Sequence, residues 1–109
     1  MSGITTHVLD TSRGRPASGV PVVLEIRSET GWREVGRAET DGDGRVRQLP
    51  QPVVGVYRIT FQIEIYFQAQ GIEGFYPEAA IVFHVRDASQ HYHLPLLLSP
   101  YGYSTYRGS

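Results

Sequence analysis

The 109-residue chain contains no cysteine and no lysine; its ten basic residues are all arginine. The first absence removes disulfides, thiolate nucleophiles and cysteine-held zinc. The second removes a Schiff-base lysine and the lysine of a phosphate loop. Long apolar runs are missing as well, since no stretch approaches the roughly 18 residues that a membrane span needs. Neither sign of charge dominates. Ten basic residues against eleven acidic ones leave a formal net charge of −1, which gives no electrostatic reason to expect nucleic acid or an anionic membrane as partner. The opening MSGITTHVLD lacks the basic segment and apolar core of a secretory signal. A cytoplasmic protein is therefore the default expectation, although an export signal already removed would leave no trace. Chemistry is left to His, Arg, Ser, Thr, Tyr and the carboxylates.

What is present is β-prone. Twelve glycines and seven prolines punctuate short apolar runs, and helix-period patterns are scarce. Residues 1–109 read as one domain, because a division would leave pieces too small to bury a core. In GVPVVLEIR, Val20, Val22, Leu24 and Ile26 share one face of an alternating strand. TGWREVGRAET reads as the returning strand of a hairpin. GVYRITF sets Val56, Arg58 and Thr60 against Tyr57, Ile59 and Phe61, and EAAIVFHVRD sets Ile81, Phe83 and Val85 against Val82, His84 and Arg86. TDGDGRV is a turn whose Asp-Gly pairs tolerate positive φ. Residues 62–71, QIEIYFQAQG, form the one plausible helix, closed by Gly71. Seven or eight short strands with one small helix predict an all-β, antiparallel β-sandwich.

Four histidines are available for proton transfer near neutral pH: His7, His84, His91 and His93. Alternation puts His7 on the face of Thr5 and Leu9. It also points His91 and His93 to one side of their strand, with Tyr92 and Leu94 opposite. An H-x-H pair can ligate a metal, but no third ligand stands at an obvious spacing, and a hydrogen-bonded structural role is the plainer reading of any one histidine. Asp41 and Asp43 in TDGDG resemble the opening of a calcium loop. The match fails where Arg45 and Pro52 occupy ligand positions, which leaves a hairpin turn. Arg45 directly after that turn is either a solvated cation or a fork aimed along the sheet at a carbonyl-rich or anionic ligand. Ser109 supplies a hydroxyl and the terminal carboxylate, with Tyr106 and Arg107 just before it. No adjacent base and no G-x-S-x-G elbow mark it as a nucleophile.

Taken together, TTHVLDTSRGRPASGVPVVL, TDGDGR, FYPEAAIVFHV and HYHLPLLLSPYGYSTYRGS resemble the 5-hydroxyisourate hydrolase family of transthyretin-related proteins. The resemblance runs the length of the chain, and the terminal YRGS is its most specific mark. It implies a transthyretin-like sandwich of two four-stranded sheets with one short helix. It also implies a homotetramer, a dimer of dimers with active sites at the dimer–dimer interface. The implied reaction hydrolyses 5-hydroxyisourate to 2-oxo-4-hydroxy-4-carboxy-5-ureidoimidazoline, in urate breakdown, with no metal and no organic cofactor.

By resemblance the catalytic residues fall on His7, Arg45, His93 and Ser109, and the substrate contacts on His7, Arg45, Tyr106 and Arg107. His91 takes a structural role and His84 lies on the sheet surface. On this reading His7 and His93 share proton transfer, Arg45 is an electrostatic clamp, and Ser109 acts as nucleophile or, preferably, positions the water. Tyr101, Tyr103 and Tyr106 are expected to anchor the last strand by aromatic burial. The alternative reading is a transthyretin-like carrier of a hormone or other small molecule, against which the two histidines and the YRGS ending stand.

Overall fold

The computed structural model describes residues 3–50 and 53–108. Among these residues the alternating segments become nine strands and the glycine-closed segment one helix. The strands are β1 (Gly3–Asp10), β2 (Arg15–Pro16), β3 (Pro21–Ser28), β4 (Gly31–Glu39), β5 (Arg45–Leu49), β6 (Gly55–Phe61), β7 (Ala79–Val85), β8 (His91–Ser99) and β9 (Gly102–Thr105); α1 (Ile63–Gln68) lies between β6 and β7. One sheet has the order β4-β3-β6-β7 and is antiparallel throughout. The other runs β2-β1-β8-β9, with β5 also pairing β1.

That second sheet contains five strands but is four wide at any level. β5 pairs the first half of β1, from Ile4↔Leu49 to His7↔Arg45, and the two-residue β2 pairs its end, Leu9↔Pro16 and Asp10↔Arg15. The two share one edge of β1 in succession. β1 and β8 run parallel over eight registered pairs, Gly3↔His91 to Asp10↔Leu98, the one departure from the expected antiparallel pairing. No hairpin joins these strands. The intervening chain builds the whole opposite sheet before returning, and so long a crossover leaves parallel pairing open.

The inner faces follow the alternation read from sequence. Val20, Val22, Leu24 and Ile26 are buried against Tyr57, Ile59 and Phe61 of β6, and Ile4, Val8, Leu94, Leu96 and Leu98 close the core from the other sheet. Asp10 is fully buried at the end of β1. It accepts hydrogen bonds from the hydroxyls of Ser12 (2.6 Å) and Tyr66 (2.7 Å) and from the backbone N–H groups of Ser12 and Arg13. Burial works against its ionised form, but those four donors outweigh it and hold the carboxyl below its ordinary value. Tyr66 thereby ties α1 to β1.

The helix is shorter than the 62–71 expected. Gly71, at φ +70°, closes it as predicted. Ile72 N–H donates to Phe67 C=O and Gly71 N–H to Gln68 C=O, the paired bonds of a Schellman stop.

The tyrosine-rich end differs from expectation. Tyr101, Tyr103 and Tyr106 are 74%, 38% and 58% exposed, so aromatic burial within the chain does not anchor it. β9 is an edge strand on which Tyr76 packs edge-on against Tyr103, ring centroids 5.3 Å apart, and bonds to β8 do most of the holding. It pairs with β8 from Leu96↔Thr105 to Ser99↔Gly102. Thr105 Oγ1 donates to Pro95 C=O at 2.7 Å, and Gly108 N–H donates to His93 C=O at 2.8 Å. Arg107 lies 4.4 Å above the Tyr92 ring and donates to His91 C=O and Gln90 Oε1.

Candidate functional site

Three neighbouring strands carry the polar residues. On the outward side of β1 stand Thr5 and His7; register sets Thr5 opposite His93 of β8 and His7 opposite Arg45 of β5. Across this line opens a cavity of about 260 Å³, walled by Thr5, Arg45, Arg47, His91 and His93 with Thr6 and Val46.

The turn before β5 aims Arg45. Asp41 Oδ1 accepts from the N–H groups of Asp43 (2.9 Å) and Arg45 (3.0 Å), while Asp41 N–H donates to Arg45 C=O. Gly44 sits at φ +74°, and a Cβ there would lie 2.4 Å from the Val8 carbonyl oxygen. Only glycine lets β5 close on β1 at this point. Arg47 pairs with both acids of the turn, at 3.3 Å to Asp41 and 2.7 Å to Asp43. Among the described residues Arg45 therefore makes no ion pair, and its guanidinium faces the cavity uncompensated.

The two histidines of HYH meet a single hydroxyl. Thr5 Oγ1 lies 2.7 Å from His93 Nδ1 and 2.9 Å from His91 Nε2, and the rings are 6.4 Å apart at 22°. Burial lowers the pKa of His93, and the positive charge of Arg45 with the neighbouring His91 and His7 lowers it further, against a small opposite pull from the Thr5 backbone. Burial likewise lowers that of His7, with Arg45 next; the Asp43 backbone and the Asp43 and Asp41 carboxylates pull the other way. Both rings are thus neutral at pH 7, each with one bare nitrogen to accept a proton and one N–H to give.

The chain end seats His93. A Cβ on Gly108 would stand 2.7 Å from His93 Cδ2 and 3.3 Å from Pro95 Cγ. The imidazole occupies the space any side chain would need, which gives the glycine of YRGS a physical reason.

Of the residues singled out from sequence, Arg45 and His93 share the cavity. His7 is not among its walls, but it adjoins Arg45 and interacts electrostatically with both. Tyr106 and Arg107 line a different and larger cavity, about 490 Å³, with Phe83, Arg86 and Tyr92. His84 is exposed on β7 as expected. Ser109 lies outside the described residues. Thr5, Arg47 and the contact made by His91 were not foreseen as parts of the site. Among the described residues no three His, Asp or Glu side chains converge to hold a metal ion.

The family model described as "HIUase/Transthyretin family" matches residues 4–108. A 5-hydroxyisourate hydrolase of Salmonella typhimurium is 45% identical over 109 residues, covering 97% of this chain and 80% of that protein. Among solved structures, Klebsiella pneumoniae 5-hydroxyisourate hydrolase superposes with a TM-score of 0.88 at 35% identity, covering 100% of this chain and 94% of the other. Sea bream transthyretin in complex with thyroxine gives 0.92 at 32% identity, covering 97% and 94%.

Proposed function

The chain belongs to the HIUase/Transthyretin family, and from that premise we propose that it is a hydrolase that opens 5-hydroxyisourate to 2-oxo-4-hydroxy-4-carboxy-5-ureidoimidazoline. The observation that carries the reading is the meeting, across β5, β1 and β8 in one open polar cavity, of a neutral His93 with an Arg45 that makes no ion pair among the described residues. The substrate is a planar bicycle rich in carbonyls. Its hydrolysis needs water to lose a proton as it attacks a ring carbonyl, an oxyanion to be stabilised, and a ring nitrogen to leave with a proton.

A neutral imidazole accepts the proton from water, and the N–H of an imidazole returns one to the departing nitrogen. His93 and His7 divide these tasks. Arg45 orients the carbonyls through its paired donors and stabilises the charge that develops on the attacked oxygen. Ser109 positions the water in this scheme. Tyr106 and Arg107 enter as substrate contacts made on assembly, because within one chain they open onto the other cavity. The proposal therefore includes a homotetramer with its sites between dimers. It also includes a cytoplasmic location and a reaction without metal or organic cofactor, so a chelator leaves turnover unchanged.

The likeness to a transthyretin holding thyroxine favours a second reading, carriage of an apolar aromatic hormone. A wall of imidazoles and guanidinium groups is a poor match for such a ligand. The deciding experiment follows the ultraviolet loss of 5-hydroxyisourate generated from urate in place, for the wild type beside His93→Ala, with a thyroxine titration in parallel. We expect the variant to lose about 10²–10⁴-fold in kcat. Equal rates remove His93 from the reaction; no turnover with tight hormone binding replaces the hydrolase by the carrier.

A further inference from the structure

One hydroxyl between two imidazoles is a constrained arrangement. Thr5 Oγ1 reaches His93 Nδ1 at 2.7 Å and His91 Nε2 at 2.9 Å. A threonine hydroxyl has a single proton, so it donates to one of these nitrogens and accepts from the other. One ring nitrogen must therefore be bare while its counterpart carries hydrogen. We propose that Thr5 is a positioning residue that couples the protonation states of His91 and His93 and makes His91 the second station for the proton taken up at the site. This inference rests on the hydrolase reading for its role in turnover, but the coupling itself does not.

The step balances. At the start His93 bears its proton on Nδ1, donated to Thr5 Oγ1, and the Thr5 hydroxyl donates to the bare His91 Nε2. The cavity-side nitrogen of His93, Nε2, is then free to accept. When Nε2 takes a proton from the attacking water, the Nδ1 proton passes to Thr5 Oγ1 and the hydroxyl proton passes to His91 Nε2. His93 ends neutral with its hydrogen on Nε2, ready to be given to the leaving nitrogen, and the positive charge resides on His91. Return of the hydroxyl proton from His91 through Thr5 restores the first state.

The surroundings favour this direction. His93 is half-buried and faces Arg45 from β5, His7 from β1 and His91 from its own strand, and Arg47 lines the same cavity. A cation on His93 is opposed above all by burial and by the facing guanidinium of Arg45. His91 is exposed, and its backbone carbonyl accepts from Arg107 at 3.1 Å, so its position is held from the chain end while its ring meets water. Exposure screens a charge that the inner ring would carry at greater cost.

The test uses the full chain, isotopically labelled, as wild type, Thr5→Val and Thr5→Ser. Valine keeps the β-branch and volume but removes the hydroxyl; serine keeps the hydroxyl. Nitrogen-15 shifts of the imidazoles at neutral pH read which nitrogens are bare. In the wild type we expect His91 Nε2 and His93 Nδ1 to be complementary, one bare and one protonated, and in Thr5→Val that complementarity to be lost. With 5-hydroxyisourate, Thr5→Val should lose about 10–100-fold in kcat, as for a hydrogen bond to a charge-bearing partner. Its KM should stay within about twofold, and the acid limb of its pH profile should move. Thr5→Ser should restore most of the rate.

The proposal is overturned by like protonation of the two nitrogens in the wild type, by an unchanged kcat and pH profile in a folded Thr5→Val, or by failure of serine to rescue. A wild type that does not turn over 5-hydroxyisourate would sink the hydrolase reading alone, and the shifts would still decide the coupling.

Discussion

Gly108→Ala is the most informative single substitution, because one methyl group separates a functional effect from a structural one. The added Cβ would stand 2.7 Å from His93 Cδ2, while carbons in contact settle at about 3.5–4.0 Å. The ring has to retreat by about 1 Å. The methyl has little room to shift, since Pro95 Cγ and Cδ already stand 3.3 and 3.4 Å from it. Gly108 and Thr5 flank His93 from opposite sides, so a retreat of that size drives the ring into Thr5 and destroys the 2.7 Å geometry at His93 Nδ1. Misplacing a catalytic group by about 1 Å costs about 10²-fold in rate, equivalent to about 2.7 kcal/mol.

Stability should change little. Gly108 does not occupy the left-handed region, so alanine strains no backbone, and the N–H bond to His93 C=O survives. The loss in folding free energy is about 1 kcal/mol or less. The assay is kcat for 5-hydroxyisourate loss beside a chemical denaturation curve, with His93 imidazole shifts as witness. A folded Gly108→Ala that turns over at the wild-type rate, with His93 undisturbed, would refute the argument that this glycine exists to seat the imidazole.

Two further outcomes follow from the electrostatics. His93 should titrate below the ordinary 6.5 of histidine, and Arg45→Ala should raise its midpoint by removing a facing cation, as read by imidazole shifts; an unmoved midpoint would deny the coupling. Because the folded state holds His7 and His93 neutral, their contribution to stability is full above 6.5 and declines as pH falls through their lowered folded values. Asp10 gives a separate acid limb. Its folded value lies below the ordinary 3.8, so the stability it confers is present above 3.8 and is lost as pH falls through the folded value. Asp10→Asn should cost about 2–3 kcal/mol by denaturation at pH 7 and flatten that limb, and an unchanged midpoint would contradict the role given to its four donors.

Much of the architecture was legible because it is written locally. Val20, Val22, Leu24 and Ile26 reveal their inward face by alternation alone, Gly71 marks the helix stop, and the Asp-Gly turn shows where Arg45 must begin a strand. What was hidden depends on pairing between distant segments. Alternation places Thr5 beside His7 and His91 beside His93, but only the parallel register of β1 on β8 brings the threonine hydroxyl between the two imidazoles. Nothing in the neighbourhood of Thr5 encodes a partner 88 residues away. The tyrosines misled for a related reason. Aromatic side chains beside an edge strand usually signal cover, yet Tyr101 and Tyr106 stand largely exposed among the described residues. The same limit applies to Tyr106 and Arg107, whose strand end faces a second cavity while the very next residue, Gly108, touches His93.

The parallel pairing of the first long strand with the eighth has a bearing on biogenesis. Thr5 and His7 leave the ribosome well before Arg45, and the imidazole that completes the pocket follows well after it. Contacts of such sequence separation close slowly, so a nascent or refolding chain acquires its sheets' local hairpins before it owns any reactive centre. Onset of catalysis in a refolding experiment would time the final zippering of the molecule, and intermediates with much β-structure would be chemically silent.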